Sequence, residues 1–407
     1  MDVNRIRKDF IVLSKEMSGK IPIYFDSACQ TLRPSQVTQA MVEYYESFPA
    51  CAGRSVHKMA TEVSLRCDSV RTRAADFFGA ESPTEMSFMK NTTEGLNTVI
   101  LGSGLKAGDE VVTTDYEHNS VHVPVLQAVK NFSVKHKIVR SSSDGTFDLD
   151  AMHSVMSKKV RLVAVCMTSN VTGYSLPAKE VVDIAHSYGA KVLFDAAQTA
   201  PSMKIDVRAL GADYLAASAH KMCGPSGVGM LYVRAELSDR LRPLMYGGHG
   251  VTDTSYDSYE LLPGPEKFET GLQNYAGIIG TGAALEYLTS IGMDEIRAHE
   301  ADLNGRMTRS LRDVPGIAVL NPIDPNLRAG IFSFNIKGMS AHDVAMILDN
   351  SKNIMMRSGM HCCHPYFHSL RLDGCARASV YVYNTRAEVD TFVEGVTALA
   401  KKFSKKV

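Results

Sequence analysis

Short polar segments that follow apolar runs carry residue types able to do chemistry. Asn91-Thr92-Thr93-Glu94-Gly95 follows MSFMK and opens a predicted helix, so hydroxyls and free backbone N–H groups converge where an anion can be cradled; plain helix capping by Thr92 and Thr93 is the alternative. Phe194-Asp195-Ala196-Ala197-Gln198 puts a carboxylate at the end of the apolar run KVLF, where a charge costs free energy unless a cation or strong donor meets it. Ser218-Ala219-His220-Lys221 ends the run DYLAA and precedes Cys223-Gly224-Pro225-Ser226-Gly227-Val228-Gly229. A lysine desolvated at such a strand end loses proton affinity and becomes a Schiff-base nucleophile; a structural lysine snorkels to water instead. Glu117-His118-Asn119 follows EVVTT and offers an imidazole for stacking on a flat ligand or carrying protons, with a capping or core histidine as the other reading. Arg357-Ser358-Gly359-Met360-His361-Cys362-Cys363-His364-Pro365 is bracketed by glycine and proline and reads as an exposed loop that carries thiols.

The elements that must position these segments alternate. MSFMK precedes a helix from Glu94, EVVTT a helix after Asn119, and RLVAVCMT a helix near Ala178 to Tyr188; KVLFD, DYLAAS and GVGMLYV are further strands. Strands alternating with helices predict an α/β fold with a mostly parallel, helix-covered sheet. Ligands collect at the carboxyl ends of such strands, where the polar segments lie. After Gly264 the pattern changes to a helix over Met293 to Arg312, a turn at Pro315-Gly316, strands at IAVL and GIFSFNI, a helix near Ala341 to Asp349, two more strands and a terminal helix. We expect a large domain over 20–265, a connection over 266–289, and a smaller α+β domain from 1–19 and 290–407, with a helix around residues 2 to 17 and a solvated tail, KKFSKKV.

Composition narrows the partners. The 407 residues carry 44 Lys+Arg against 44 Asp+Glu and 45% hydrophobic residues, with a pI near 7.2. The chain can bury a large core, but it has no net basic field to hold nucleic acid or an anionic membrane. The start, MDVNRIRKDFIVLSKEM, lacks the apolar core of a secretory signal, and no run approaches the roughly 18 apolar residues that span a bilayer. A cytoplasmic protein is expected. The 8 cysteines read as reduced thiols, most of them small core hydrophobes.

In their order and spacing, Asn91 to Gly95, Glu117-His118, Ser169-Asn170-Val171-Thr172-Gly173, Asp195 to Gln198, Ser218 to Lys221 and Arg357 to Cys362 resemble the pyridoxal-phosphate cysteine desulfurases of the class V aminotransferase group, in the Suf-type and selenocysteine-lyase branch. The likeness runs from Tyr24-Phe25-Asp26-Ser27-Ala28 to Tyr383-Asn384-Thr385. The resemblance implies a fold-type I enzyme, with a seven-stranded large-domain sheet, that uses pyridoxal 5'-phosphate, a cofactor that needs a lysine, an acid facing the pyridine nitrogen, and a phosphate cup. It assigns these to Lys221, to Asp195, and to Thr92, Thr93, Ser218 and His220. His118 stacks on the ring and also serves catalysis, and Asn170 and Gln198 bond the ring oxygen. Arg377, with Asn170 and His57, holds the substrate, the arginine as a bidentate grip on its carboxylate. Lys221 takes the α-proton; Cys362 attacks the substrate sulfur and leaves alanine and a persulfide, with His361 as a proton carrier. L-cysteine, a sulfur-acceptor protein and a homodimer are the implied partners.

Several positions depart from the family pattern. Cys363 and His364 follow Cys362 where a small apolar residue is common, Leu272 stands where many relatives place a threonine that reaches the other subunit's phosphate, Val121 replaces a frequent asparagine, and Met360 a frequent histidine. Two adjacent thiols could relay sulfur or be oxidised together. As metal ligands Cys362, Cys363, His364 and Cys375 chelate poorly, so no metal is expected. A selenocysteine lyase, another β-lyase or aminotransferase, or a catalytically silent scaffold are the rival readings. The loop thiol favours the desulfurase, and Lys221 with Asp195 speaks against the scaffold. Iron–sulfur cluster assembly, thiolated RNA and cofactor synthesis are equally open as destinations of the sulfur.

Overall fold

Apolar runs that stay buried along their length build the main sheet of this computed structural model, which describes residues 1–53, 55–320, 322 and 324–404. Its strands are β1 (Met86–Met89), β2 (Glu110–Thr114), β3 (Lys135–Val139), β4 (Val160–Cys166), β5 (Lys191–Asp195), β6 (Tyr214–Ser218) and β7 (Gly229–Val233). They lie in the order β1-β7-β6-β5-β4-β2-β3. Only β7 runs antiparallel to its neighbours, so the mostly parallel sheet expected from the sequence is observed. Alternate residues serve opposite faces. Val192 and Phe194 join one core, with Ala185 of α5 (Ala178–Ser187) and Leu285 of α6 (Tyr275–Ile291). Leu193 joins the other, with Leu96 of α3 (Thr92–Gly102) and Val125 of α4 (Asn119–Phe132). Each such side chain contributes roughly 1.5–3 kcal/mol by leaving water. Helices α1 (Ser35–Ser47) and α2 (Lys58–Phe78) pack on α6. The start of α3 presses on the sheet, because a Cβ on Gly229 would stand 2.6 Å from Asn91 Cα and one on Gly95 3.1 Å from Ala216 Cβ.

A second, antiparallel sheet contains β8 (Ile317–Val319), β9 (Ile331–Ile336), β10 (Arg357–Gly359) and β11 (Cys375–Ser379), in the order β8-β9-β11-β10. Phe332 and Phe334 pack with Leu303 of α7 (Met293–Leu311), Leu348 of α8 (Ala341–Lys352) and Phe392 of α9 (Arg386–Ser404). The single helix expected over residues 2 to 17 is instead a short helix, Val3–Arg7, and a 3₁₀ turn, Ile11–Ser14. Phe10 between them is fully buried against Tyr287 and Tyr383, and reaching that slot takes its backbone out of the helical region, at φ −102° and ψ 84°. Of the expected tail, residues 401–404 form the last turn of α9, and residues 405–407 lie outside the described residues. Among the described residues no helix is long and apolar enough to cross a membrane.

Glu300 of α7 stitches the two sheets together. It is 1% exposed and accepts from Ser202 Oγ at 3.1 Å and Gly330 N at 2.9 Å. Burial pushes its carboxyl up to about 7, against the hydrogen bonds and Arg297 that pull it down. The neutral acid is therefore the form the fold prefers. Its stabilising effect is complete below the unfolded value and is lost as pH rises through about 7. Glu300→Gln keeps an acceptor for Gly330 and supplies a donor to Ser202, so it should match the wild type near pH 5 and exceed it by about 2–3 kcal/mol at pH 8. Urea unfolding at both pH values checks this; parallel losses of stability in the two proteins would refute it.

Candidate active site

The carboxyl ends of β1, β2, β4, β5 and β6 open on a cavity of about 240 Å³. At one end lies the N-terminus of α3. Asn91 caps it, accepting from Glu94 N at 3.0 Å, which leaves the neighbouring N–H groups and hydroxyls for the cavity. Thr92 N and Thr92 Oγ1 meet Ser218 Oγ at 2.7 and 2.6 Å. Thr93 Oγ1 meets Ser120 Oγ at 2.7 Å, and Ser120 in turn contacts His118 Nδ1 at 2.9 Å. Hydroxyls at a helix N-terminus, with its positive dipole, suit a phosphate.

The floor of the cavity opposes a carboxylate and an amine. Asp195 ends β5, is 5% exposed, and accepts from Ala197 N at 2.9 Å. Burial raises its pKa, and the Lys221 charge pulls it back. Lys221, in the 3₁₀ turn Ala219–Lys221 after β6, is lowered by burial first, with Asp195 opposing and Arg377 assisting. A lysine lowered this way gives up its proton more readily and is the better nucleophile for it. His118 is lowered to about 4 by burial, then by Lys221 and Arg377, and His220 to about 4 by burial, then by Lys221 and Arg33. Both rings are neutral at pH 7. His118 is also the cap of α4, its Nδ1 accepting from Ser120 N at 3.0 Å, so the capping and site readings hold together. Behind the floor, Glu117 is held up at about 8 by burial and accepts from Thr114 Oγ1 at 2.6 Å and Cys166 N at 2.9 Å.

On the side facing the second sheet, Arg377 of β11 donates Nη1 to Asn170 O at 2.8 Å and lies 3.4 Å from Asp26 Oδ1. Its Nε is buried without a partner, an unmet donor of the kind a substrate carboxylate fills. Arg357, opposite Arg377 in the sheet register, shares Asp26 at 3.3 Å.

Cys362 stands over the cavity on a strained turn. His361 and Cys362 have φ of 47° and 58°, a left-handed pair that costs roughly 1–2 kcal/mol per residue outside glycine. Hydrogen bonds over-determine it: Cys363 N to Met360 O at 2.8 Å, Asn119 N to Cys362 O at 2.7 Å, and Asn170 Nδ2 to His361 O at 2.7 Å. His361 Nε2 donates to Cys375 O at 3.1 Å, which fixes its tautomer. Its Nδ1 is buried without a partner, and burial lowers its pKa to about 3.

All the site residues singled out in the sequence line this cavity except His57. That residue is exposed and caps α2, accepting from Ala60 N at 3.4 Å; its own chain does not bring it to the site. Ser120, Cys29, Cys166, Thr168 and Arg357 also line the cavity without having been assigned roles. Ser120 carried the same signal as Thr92, a hydroxyl in the first turn of a helix after a strand. The cysteines divide more sharply than expected: Cys51 and Cys362 are exposed and Cys29 partly so, while the other five are buried. Cys51 and Cys29 are thus not core hydrophobes. Among the described residues no group of His, Cys, Asp and Glu is arranged to hold a metal ion. The arrangement fits pyridoxal phosphate. The α3 hydroxyls and amides suit the phosphate, Lys221 the aldehyde carbon, and Asp195, a buried carboxyl in want of a cation, the ring nitrogen.

Fold and site together define a lysine-centred α/β enzyme with an anion cup at its strand ends. The chain belongs to the aminotransferase class-V family, whose model matches residues 23–392. It is 36% identical over 403 residues to a probable cysteine desulfurase of Synechocystis sp., covering 98% of this chain and 96% of that protein. With the cysteine desulfurase of Enterobacter sp. it is 35% identical, over 97% of each chain. The apo cysteine desulfurase of Thermococcus onnurineus superposes with a TM-score of 0.93 at 38% identity over 98% of both chains. The Escherichia coli cysteine desulfurase CsdA, in an S-sulfonic acid form, superposes at 0.91, 28% identical over 99% of both.

Proposed function

We propose that this protein is a pyridoxal-phosphate-dependent cysteine desulfurase that converts L-cysteine to L-alanine, first placing the sulfur on Cys362 as a persulfide. The observation that carries the reading is the exposed Cys362 on its pinned turn, above a cavity that opposes Lys221 and Asp195 and ends in the unmet Nε of Arg377. When bound, the cofactor supplies an electron sink for the substrate's α-carbon. Arg377 grips the substrate carboxylate and so orients the α-C–H toward Lys221, whose neutral amine takes that proton. The Cys362 thiolate attacks the substrate sulfur: the S–S bond forms, the Cβ–S bond breaks, and its electron pair stays with the carbon fragment, which gains protons and leaves as alanine. His361, its Nε2–H committed to Cys375 O and its ring kept neutral by burial, offers Nδ1 as a hydrogen-bond acceptor next to Cys362, through which we read it as a proton carrier.

The exposure of Cys362 supports onward transfer of the sulfur to a protein acceptor. Leu272 at 76%, the fully exposed Tyr256, and Tyr246 packed on Tyr259 leave large apolar side chains exposed, which supports a homodimer. The free thiols support a cytoplasmic setting. We read residues 20–265 as the large domain, 266–289 as the connection, and 1–19 with 290–407 as the small one. The test is incubation with cysteine, selenocysteine and alanine in turn, then mass measurement of the tryptic peptide that contains residue 362. A gain of one sulfur with cysteine alone is expected. Turnover of selenocysteine alone makes the protein a lyase, and no turnover of either overturns the reading.

A further inference from the structure

Cys363 is where this chain departs most visibly from the family pattern, and its surroundings give it a task. Its side chain is 0% exposed, whereas the adjacent Cys362 is exposed. The thiol donates to Asn170 Oδ1 at 3.0 Å, with Tyr116 O a distant second acceptor at 3.9 Å. Asn170, 7% exposed, is thereby held at both ends of its carboxamide: Oδ1 takes the Cys363 proton, and Nδ2 donates to His361 O at 2.7 Å. Its backbone carbonyl accepts from Arg377 Nη1 at 2.8 Å. The two side-chain bonds reach the residues immediately before and after Cys362. They clamp the left-handed pair at His361 and Cys362 from beneath, while Asn119 N holds the Cys362 carbonyl from the other side at 2.7 Å.

We propose that Cys363 is a positioning residue: its S–H orients the Asn170 carboxamide, and through the Asn170–His361 bond it holds the turn that presents Cys362 to the substrate sulfur. An apolar residue of similar size would leave Asn170 Oδ1 without this donor and free the amide to rotate away from His361 O. The same contact argues against the sulfur-relay reading of the paired thiols. A relay needs a thiolate within reach of the persulfide, and this thiol is buried, with that burial raising its pKa.

The proposal rests on the desulfurase reading, and the experiment separates the two. Cys363→Ala and Cys363→Ser are compared with wild type as holoenzymes, reading cofactor absorbance, the single-turnover rate of persulfide formation on Cys362 with L-cysteine, and the rate of Cys362 alkylation by iodoacetamide without substrate. Cys363→Ala should lower the single-turnover rate about five- to tenfold, the size expected for one buried hydrogen bond, with unchanged cofactor absorbance and an altered alkylation rate. Cys363→Ser keeps an O–H donor and should return both rates to within about twofold of wild type. Wild-type rates in Cys363→Ala, or equal losses in both variants, would overturn the positioning role; loss of sulfur transfer in both would make the second thiol a sulfur carrier. If the wild type forms no persulfide, the functional reading fails, and the alkylation rates still decide whether Cys363 positions Cys362.

Discussion

Lys221→Ala should yield a protein that takes up pyridoxal phosphate without the visible absorbance of the lysine-bound form and turns over cysteine at least about 10³-fold more slowly, the combined loss of a covalent anchor and a positioned base. The size of the effect follows from the floor of the cavity. Burial makes Lys221 a poor ammonium and a good amine, and the neighbouring His118 and His220 stay neutral at pH 7. The described residues at this end of the cavity therefore offer no comparable base to replace it. An arginine or glutamine in its place would be no better, since neither gives a free amine. Absorbance titration with pyridoxal phosphate, followed by alanine formation from cysteine, measures both losses. A wild type that stays colourless with added cofactor, or a Lys221→Ala protein that keeps its colour, would exclude this role for the residue.

Cys362→Ala should behave in the opposite way. The cofactor absorbance and its change on adding cysteine should survive, because Lys221, Asp195 and Arg377 are intact, while persulfide and sulfide fall by about 10³-fold or more because, among the described residues, the other thiols that line the cavity are Cys29, only partly exposed, and Cys166, buried. Cys363→Ala should lose far less. Sulfide release with a reductant, measured beside the cofactor spectrum, separates the two steps. Equal loss of sulfide in both variants would reassign the nucleophile.

Much of this site was legible in the sequence because buried parallel strands advertise themselves as apolar runs, and Thr92, His118, Asp195 and Lys221 stand just after such runs. Asp195 after KVLF and Lys221 after DYLAA are the clearest cases, and the sheet order places them on adjacent strands. Strand β3 was not anticipated, since KHKIV at a sheet edge opens with Lys135, His136 and Lys137 and keeps only Ile138 and Val139 as an apolar run. Roles that depend on a partner distant in the chain were equally hidden. Glu300 is an unremarkable acid on an amphipathic helix until the fold lays it against Ser202 and Gly330. Arg357 gains significance only from pairing across the sheet with Arg377. The resemblance supplied His57 from the pattern of motifs, and the single chain places it elsewhere.

The grip at Arg377 has a consequence for selectivity. In the proposed reaction it reads a carboxylate and Lys221 an amine, yet alanine keeps both groups after its sulfur has gone. The end of the cavity that knows cysteine from its product is the end that carries Cys362. Alanine should therefore compete with cysteine for the same seat, an effect that added alanine would reveal as a raised KM for cysteine. Asp26 already leans on both Arg377 and Arg357, so each carboxylate that arrives at Arg377, substrate or product alike, meets a resident anion with which it must share the arginine.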